Sequence, residues 1–431
     1  MSIIRPSGLN STEKRTFSLH LSYSFIEGII LGIIALNEFV FVKSLFGSSY
    51  QLSVLFQFSM VVFILLAFFN ELLKRIKNMP ALLKKTAIIT RLPLLLLFFF
   101  PHNASQLTGD SIYHYLFLAI FMVYYLANPI IFPAINLFLK TNYRHQNFGK
   151  LYSYAITVNK VVMMITTFAY GYLLDANNYV FVYVFPAAGV LGIINVFLLS
   201  KIPFNNANVI TNEETKYSFW ESVKRSVKSM ANILVKNVPY RHFQMGFMLY
   251  GFGFMGSAIV VVLFFEYELG LNYASIAFYK NGYNIIAIFL LPLFGKLIGN
   301  IDPRRFAALS FLSMMLYILA LILTGLFPIH VEFLGITLYH MMIIYIIFHS
   351  IFAATMGLMW SIGSAYFCPP SEAGIYQSIH LALTGTRAIF APLLGVIFYE
   401  LWGFYVTFII SMACLSLGIA LMLWSEKNAK M

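Results

Sequence analysis

Charge is scarce in this chain of 431 residues: 10% are Asp, Glu, Lys or Arg, against 60% hydrophobic. So few polar side chains cannot cover a water-soluble globule of this size, which excludes a soluble fold. Cysteine is nearly absent. Cys368 closes one apolar run and Cys414 lies inside another, so neither a disulfide framework nor a zinc-ligand spacing is available. There is no Gly-x-x-x-x-Gly-Lys-Ser loop, which sets direct use of ATP aside. The first apolar run is too long for the core of a removable signal, and no small-residue cleavage site follows it, so it is expected to stay in the mature protein.

What the chain has instead is twelve long apolar runs: Phe17–Phe46, Leu52–Leu73, Leu82–Pro101, Ile112–Leu139, Leu151–Leu174, Tyr179–Leu199, Phe243–Phe265, Ala274–Ile298, Phe306–Phe327, Leu334–Phe367, Ile375–Tyr399 and Gly403–Trp424. Each approaches or exceeds the roughly 20 residues a helix needs to cross a hydrocarbon core. Backbone polar groups must be satisfied internally in lipid, and runs this long without alternation are not barrel strands, so helices are predicted. The expected fold class is an all-α integral membrane protein of twelve transmembrane helices.

The net charge of +12 invites a nucleic-acid reading, but its distribution argues against one. The odd-numbered loops hold Lys43 as their one basic residue together with Asp110, Asp175, Glu266, Glu268, Glu332 and Glu400, while Arg15, Lys74, Arg75, Lys84, Lys85, Lys140, Arg144, Lys150, Lys296, Arg304 and Arg305 fall on the other side. By the positive-inside rule that side is cytoplasmic, which places both termini inside a plasma or inner membrane. The one extended polar segment, 201–241, divides the chain into bundles 1–200 and 242–431. Within it Phe219, Trp220, Val223, Val227, Met230 and Leu234 recur at helical spacing opposite Lys224, Arg225 and Lys228, the pattern of an amphipathic helix on an anionic leaflet.

The second six runs repeat the first six at a shift of about 225 residues, the construction of many secondary transporters. Gly28 maps to Gly253, Ser153 to Ser378 and Asp175 to Glu400. The string YRHQNFGKLYS from Tyr143, leading into GYLLD at Gly171–Asp175, and the loop GKLIGNIDPRR from Gly295 to Arg305 resemble segments of the major facilitator superfamily. Gly299 stands where that family's loop signature has an Asp, with an acid only at Asp302, and the first-half copy NELLKRIK from Asn70 lacks both the Gly and the acid. The resemblance implies two pseudo-symmetric six-helix bundles, a gating role for Asp302, Arg304 and Arg305, and a central cavity lined by helices one, two, four, five and their second-half partners. Neither the Gly-Pro-x-x-Gly-Gly stretch of drug/proton antiporters nor the Pro-Glu-Ser-Pro-Arg string of sugar porters is present.

An ionised side chain at mid-bilayer costs about 2.5–3.5 kcal/mol on insertion scales and marks a functional position. Four lie deep in runs: Glu27, Lys160, Lys280 and Arg387. His20, Ser24 and Glu27 share one helix face, as do His380, Thr384 and Arg387; Asn284 lies one turn from Lys280, and Asn159 precedes Lys160. Tyr124 and Tyr125 precede Pro129 and Pro133 on a helix expected to kink. Arg91 is expected to snorkel to the cytoplasmic end of run three. Glu27 reads as a proton-coupling carboxylate, or else as an ion-pair partner of Lys160 or Arg387. Arg387 reads as the anchor for a solute carboxylate or phosphate, with Lys160, Lys280, His380, Asn159, Asn284 and Tyr124 lining the same polar hollow.

Three deep cations against one carboxylate favour a small anionic or zwitterionic solute, moved by proton symport. The expected partners are that solute, protons and the bilayer, with no nucleic acid, cofactor or metal, and the chain is expected to act as a monomer. His340 and His349 are nine residues apart, not the spacing of a helical metal pair. An exporter of amphipathic compounds is the alternative within transport, favoured by a broad aromatic cavity. A membrane-embedded acyltransferase using His340, His349 or His380 is the alternative outside it, disfavoured by the repeat and by the absence of an acid–base constellation in any loop.

Overall fold

The computed structural model describes residues 9–65, 68–69, 76, 78–204, 218–369 and 372–429. Helices dominate: α1 (Ser11–Ile34), α2 (Ser49–Val61), α3 (Met79–Arg91), α4 (Ile112–Tyr125), α5 (Asn128–Asn142), α6 (His145–Ala176), α7 (Phe181–Leu199), α8 (Phe219–Lys236), α9 (Val238–Leu263), α10 (Tyr273–Ile298), α11 (Pro303–Leu326), α12 (Met341–Ile362), α13 (Ala373–Ala388) and α14 (Ala391–Asn428). Helical structure lies on every one of the twelve runs. By length and composition, eight stretches among the described residues can cross a membrane, and one of them, Ala373–Asn428, contains runs eleven and twelve. Those two runs separate at Gly403, whose φ of 78° takes the backbone out of the helix. Starts are written in the sequence: Asn10 with Glu13, and Ser48 with Gln51, form reciprocal capping boxes.

The chain forms two compact units, Met1–Asn37 with Phe68–Ser222, and Glu38–Ala67 with Val223–Met431. In the first, α1 lies against α6 at Gly28 and Gly32, where a Cβ would come within 2.6 Å of the Asn159 and Met163 carbonyl oxygens. Small residues let two backbones approach this closely where lipid offers no hydrophobic driving force. Run four is two helices rather than one kinked helix: α4 ends at Tyr125 because Pro129 has no N–H to continue the ladder, and α5 carries Pro133 in its interior.

In the second unit, α9 and α14 meet at Gly256 and Gly395, and a Cβ at Gly395 would collide with the Gly256 backbone. The sequence halves assign α2 to the first bundle, whereas its contacts group it with the second unit. Two local causes are visible. Ile64 fills the gap left at Gly385, and Gln57 Nε2 donates to the Ile389 carbonyl at 2.9 Å, in the break between α13 and α14.

A two-stranded antiparallel hairpin, His330–Phe333 with Ile336–Tyr339, departs from the all-helical expectation. Leu334 and Gly335 turn it, both at positive φ as a two-residue hairpin turn demands. Run ten therefore begins as a strand and becomes helical only at Met341. The hairpin is fixed to the start of α10: Ser275 Oγ accepts from Thr337 N, and Tyr279 Oη accepts from Tyr339 N while donating to the Thr337 carbonyl, each at 2.9 Å. The amphipathic segment is helical as α8, with Val223, Met230 and Leu234 half-covered and Trp220 and Val227 exposed. The motif copy at Asn70 lies outside the described residues, as does much of 201–217.

Candidate functional site

Arg387 organises the second unit. On α13 His380, Thr384 and Arg387 are all buried, and His380 and Arg387 reach Gln244 and Phe247 of α9. The Arg387 guanidinium is 2% exposed and lies 5.6 Å from the Tyr250 ring centroid. Its Nη1 donates to the Phe247 carbonyl, while its Nε has no hydrogen-bond partner. No carboxylate pairs with it among the described residues. Space for the guanidinium comes from Gly251, where any Cβ would collide with it. A cavity of about 330 Å³ opens onto Arg387, walled by Met60, Tyr250, Phe254, Phe352 and Trp360 among others. His380 sits behind that wall, its ring 4.9 Å from Phe247 and 5.0 Å from Trp360, with Nδ1 3.1 Å from Gln244 Oε1. His380 Nε2 and Gln244 Nε2 are buried without partners.

Lys280 and Asn284 occupy α10 of the same unit. Lys280 pairs with Glu38 at 3.6 Å and stands 4.9 Å from the Phe39 ring. Asn284 Nδ2 donates back to the Lys280 carbonyl at 2.7 Å, so its amide is engaged on its own helix. Sequence reasoning missed Glu38 as the counter-ion of Lys280. The sequence signal was two opposite charges in runs one and eight, whose proximity only the fold reveals.

The remaining deep residues belong to the first unit. Glu27 accepts from Asn195 Nδ2 of α7 at 2.7 Å, and the charge that reaches it is that of Arg91. It makes no ion pair with Lys160, one of the two cations weighed as its alternative partners. Arg91 does not snorkel. It is 5% exposed, donates to the Tyr124 carbonyl at 2.8 Å and lies 3.9 Å from the Tyr124 ring centroid. The cause is local: α4 ends at Tyr125, so the Tyr124 carbonyl, which takes a 3.4 Å bond from Ala127 N, can also accept from Arg91. Gly189 and Gly192 of α7 leave room, since a Cβ at either would come within 3.0 Å of the Arg91 carbonyl or side chain. Tyr124 is therefore buried beneath a cation. Asn159 Nδ2 donates to the Ser24 carbonyl at 3.0 Å and ties α6 to α1. Lys160, beside it, is half-buried and has no hydrogen bond or ion pair among the described residues.

Two loop clusters carry the motif residues. Asp302 caps α11 and receives Arg304 Nε at 2.9 Å and Nη2 at 2.8 Å; Arg304 Nη1 reaches the Ser425 and Ala429 carbonyls at 2.8 and 2.7 Å. Arg305 pairs with Glu426 at 2.7 Å. The loop is thus fastened to the end of α14 within one unit. In the first unit, buried Glu13 accepts from the Arg144 amide and Asn147 Nδ2, each at 3.0 Å, so the YRHQNFGK string holds the start of α1.

The class of protein is a polytopic helical transporter, as the family match shows. The chain belongs to the Major Facilitator Superfamily, whose model matches residues 16–336. Its fold is similar to that of the nucleoside transporter NupG (11% identity, TM-score 0.69, covering 96% of this chain and 100% of that one). It is also similar to the peptide transporter POT in complex with sulfate (12%, 0.68, 96% and 94%) and to the inward-open xylose transporter XylE from E. coli (14%, 0.62, 97% and 96%). No curated protein sequence matches the chain significantly.

Burial alone would raise the Asp302 carboxyl, but the hydrogen bonds and charge of Arg304, with the charge of Arg305, hold it below the usual carboxylate range. A carboxylate depressed in the folded state stabilises the protein above its unfolded pKa, and that contribution disappears as pH falls through the folded value. Asp302→Asn is expected to lower stability by about 1.5–3 kcal/mol at neutral pH. The gap from wild type should close under acidic conditions, as read by thermal unfolding in detergent across pH.

Proposed function

We propose that this secondary transporter moves a small anionic or zwitterionic solute by alternating access, with protons carried in symport. The observation that supports it most is Arg387: a buried guanidinium with a free Nε and, among the described residues, no carboxylate paired with it, opening onto a cavity of about 330 Å³. Its planar fork suits a carboxylate or phosphate, and in a low-dielectric wall an incoming anion supplies the missing counter-charge. A zwitterion carried with one proton moves one net charge, and 100 mV then yields ~2.3 kcal/mol, enough for roughly fiftyfold accumulation; a monoanion with one proton is carried electroneutrally and draws on the pH gradient. Lys160, without a partner among the described residues, offers a second cation on the first unit.

Glu27 is the proton-coupling carboxyl in this reading. Asn195 supports the role, because its Nδ2 serves the ionised form while its buried Oδ1 has no partner. An amide that offers both a donor and an acceptor can satisfy a carboxyl in either protonation state. The aromatic wall favours an amphipathic solute over a sugar-like one, which keeps export of an amphipathic compound as the second reading.

Two measurements test these roles. Replacing Arg387 by Lys exchanges a fork for a point charge and is expected to weaken anion affinity at least tenfold, about 1.4 kcal/mol; equal affinity in a thermal-shift titration would remove Arg387 from the site. Glu27→Gln should abolish uphill uptake into proteoliposomes while sparing counterflow. Accumulation that survives under a pH gradient would end the coupling role.

A further inference from the structure

His349 of α12 sits in a cluster that the transport reading above does not use. Its ring stacks between Tyr283 of α10, with centroids 3.6 Å apart and planes 7° apart, and Tyr317 of α11, at 4.4 Å and 16°. Tyr345 and Phe352, from its own helix, stand 5.0 and 5.9 Å away. Its Nδ1 is buried without a partner. A hydrogen-bonded packing histidine would have that nitrogen occupied, whereas two parallel phenol faces form a cage that favours a cation over a neutral ring. The charged groups that bear on the stack are the Lys280–Glu38 pair one turn along α10, with Glu38 acting on Tyr283. Tyr250 of α9 acts on Tyr317 and also lies against Arg387. His349 shares an α12 face with Phe352, Met356 and Trp360 at helical spacing, and those three line the Arg387 cavity.

We infer that His349 is a proton-binding station of the second unit, and that the charge it acquires strengthens binding of an anion in the cavity beside Arg387. The inference rests on the proposed anion site. It adds to it a direct electrostatic route by which proton and anion are bound together: the proton enters on the imidazole nitrogen, the anion enters the cavity, and each raises the affinity for the other. Glu27 then titrates in one unit and His349 in the other.

The test uses the purified full-length protein in detergent, with benzoate as the probe anion. Wild type is expected to bind benzoate roughly tenfold more tightly at pH 5.5 than at pH 8 and to take up protons on binding. His349→Phe keeps three stacked rings but cannot be protonated; its affinity should stay near the pH 8 value with proton uptake reduced. His349→Gln provides a second neutral variant should the phenylalanine repack. An unchanged pH dependence and proton uptake in both variants overturn the inference. Tyrosine absorbance measured without ligand separates the two claims. A spectrum that titrates between pH 5 and 8 in wild type but not in His349→Phe supports the proton site, and identical spectra overturn it. A titrating spectrum without benzoate binding at either pH overturns the coupling and the proposed anion site while the proton site stands.

Discussion

A guanidinium buried without a carboxylate is costly in any protein, and in a membrane span the alternatives open to it are few. Arg387 is held by one backbone carbonyl, the face of Tyr250 and the space left at Gly251, with Nε unspent. The effective penalty for a buried unpaired ion is several kcal/mol. A transporter can use that deficit, because an anion that enters the cavity relieves it and leaves again when the environment changes. The aromatic wall around the cation then screens the pair from water and gives an apolar body something to pack against.

The first unit handles its charges differently. Glu27 and Arg91 are embedded among neutral partners, Asn195 and the Tyr124 carbonyl. The end of α4 leaves the Tyr124 carbonyl able to accept from Arg91, and two glycines on α7 make the room. Backbone irregularity thus decides where a cation can stay buried, as expected where irregular backbone is tolerated only inside protein. The same logic fastens α2 to the second unit through the carbonyl released at Ile389.

Much of this was legible in the residues. Length and apolarity placed the helices, and 3.6-residue spacing correctly put His380, Thr384 and Arg387 on one face. What spacing cannot reveal is which neighbour that face meets. Glu27 found Asn195 and not Lys160, Lys280 found Glu38, and Tyr124 lies under Arg91. The hairpin at Leu334 was hidden because its second strand, Ile336–Tyr339, heads the apolar run that continues as helix, while the first lies in the loop before that run. The service of Gly251 to Arg387 becomes visible only when α9 and α13 are set side by side.

The most direct measurement concerns that glycine, since Gly251→Ala leaves every charge in place and removes only the space in which the guanidinium lies. Equilibrium binding of benzoate and of neutral benzamide to the purified variant is the comparison. The account predicts benzoate binding weakened at least tenfold, with benzamide little changed. Equal loss for both ligands, or no loss for benzoate, would contradict Arg387 as the anion's anchor.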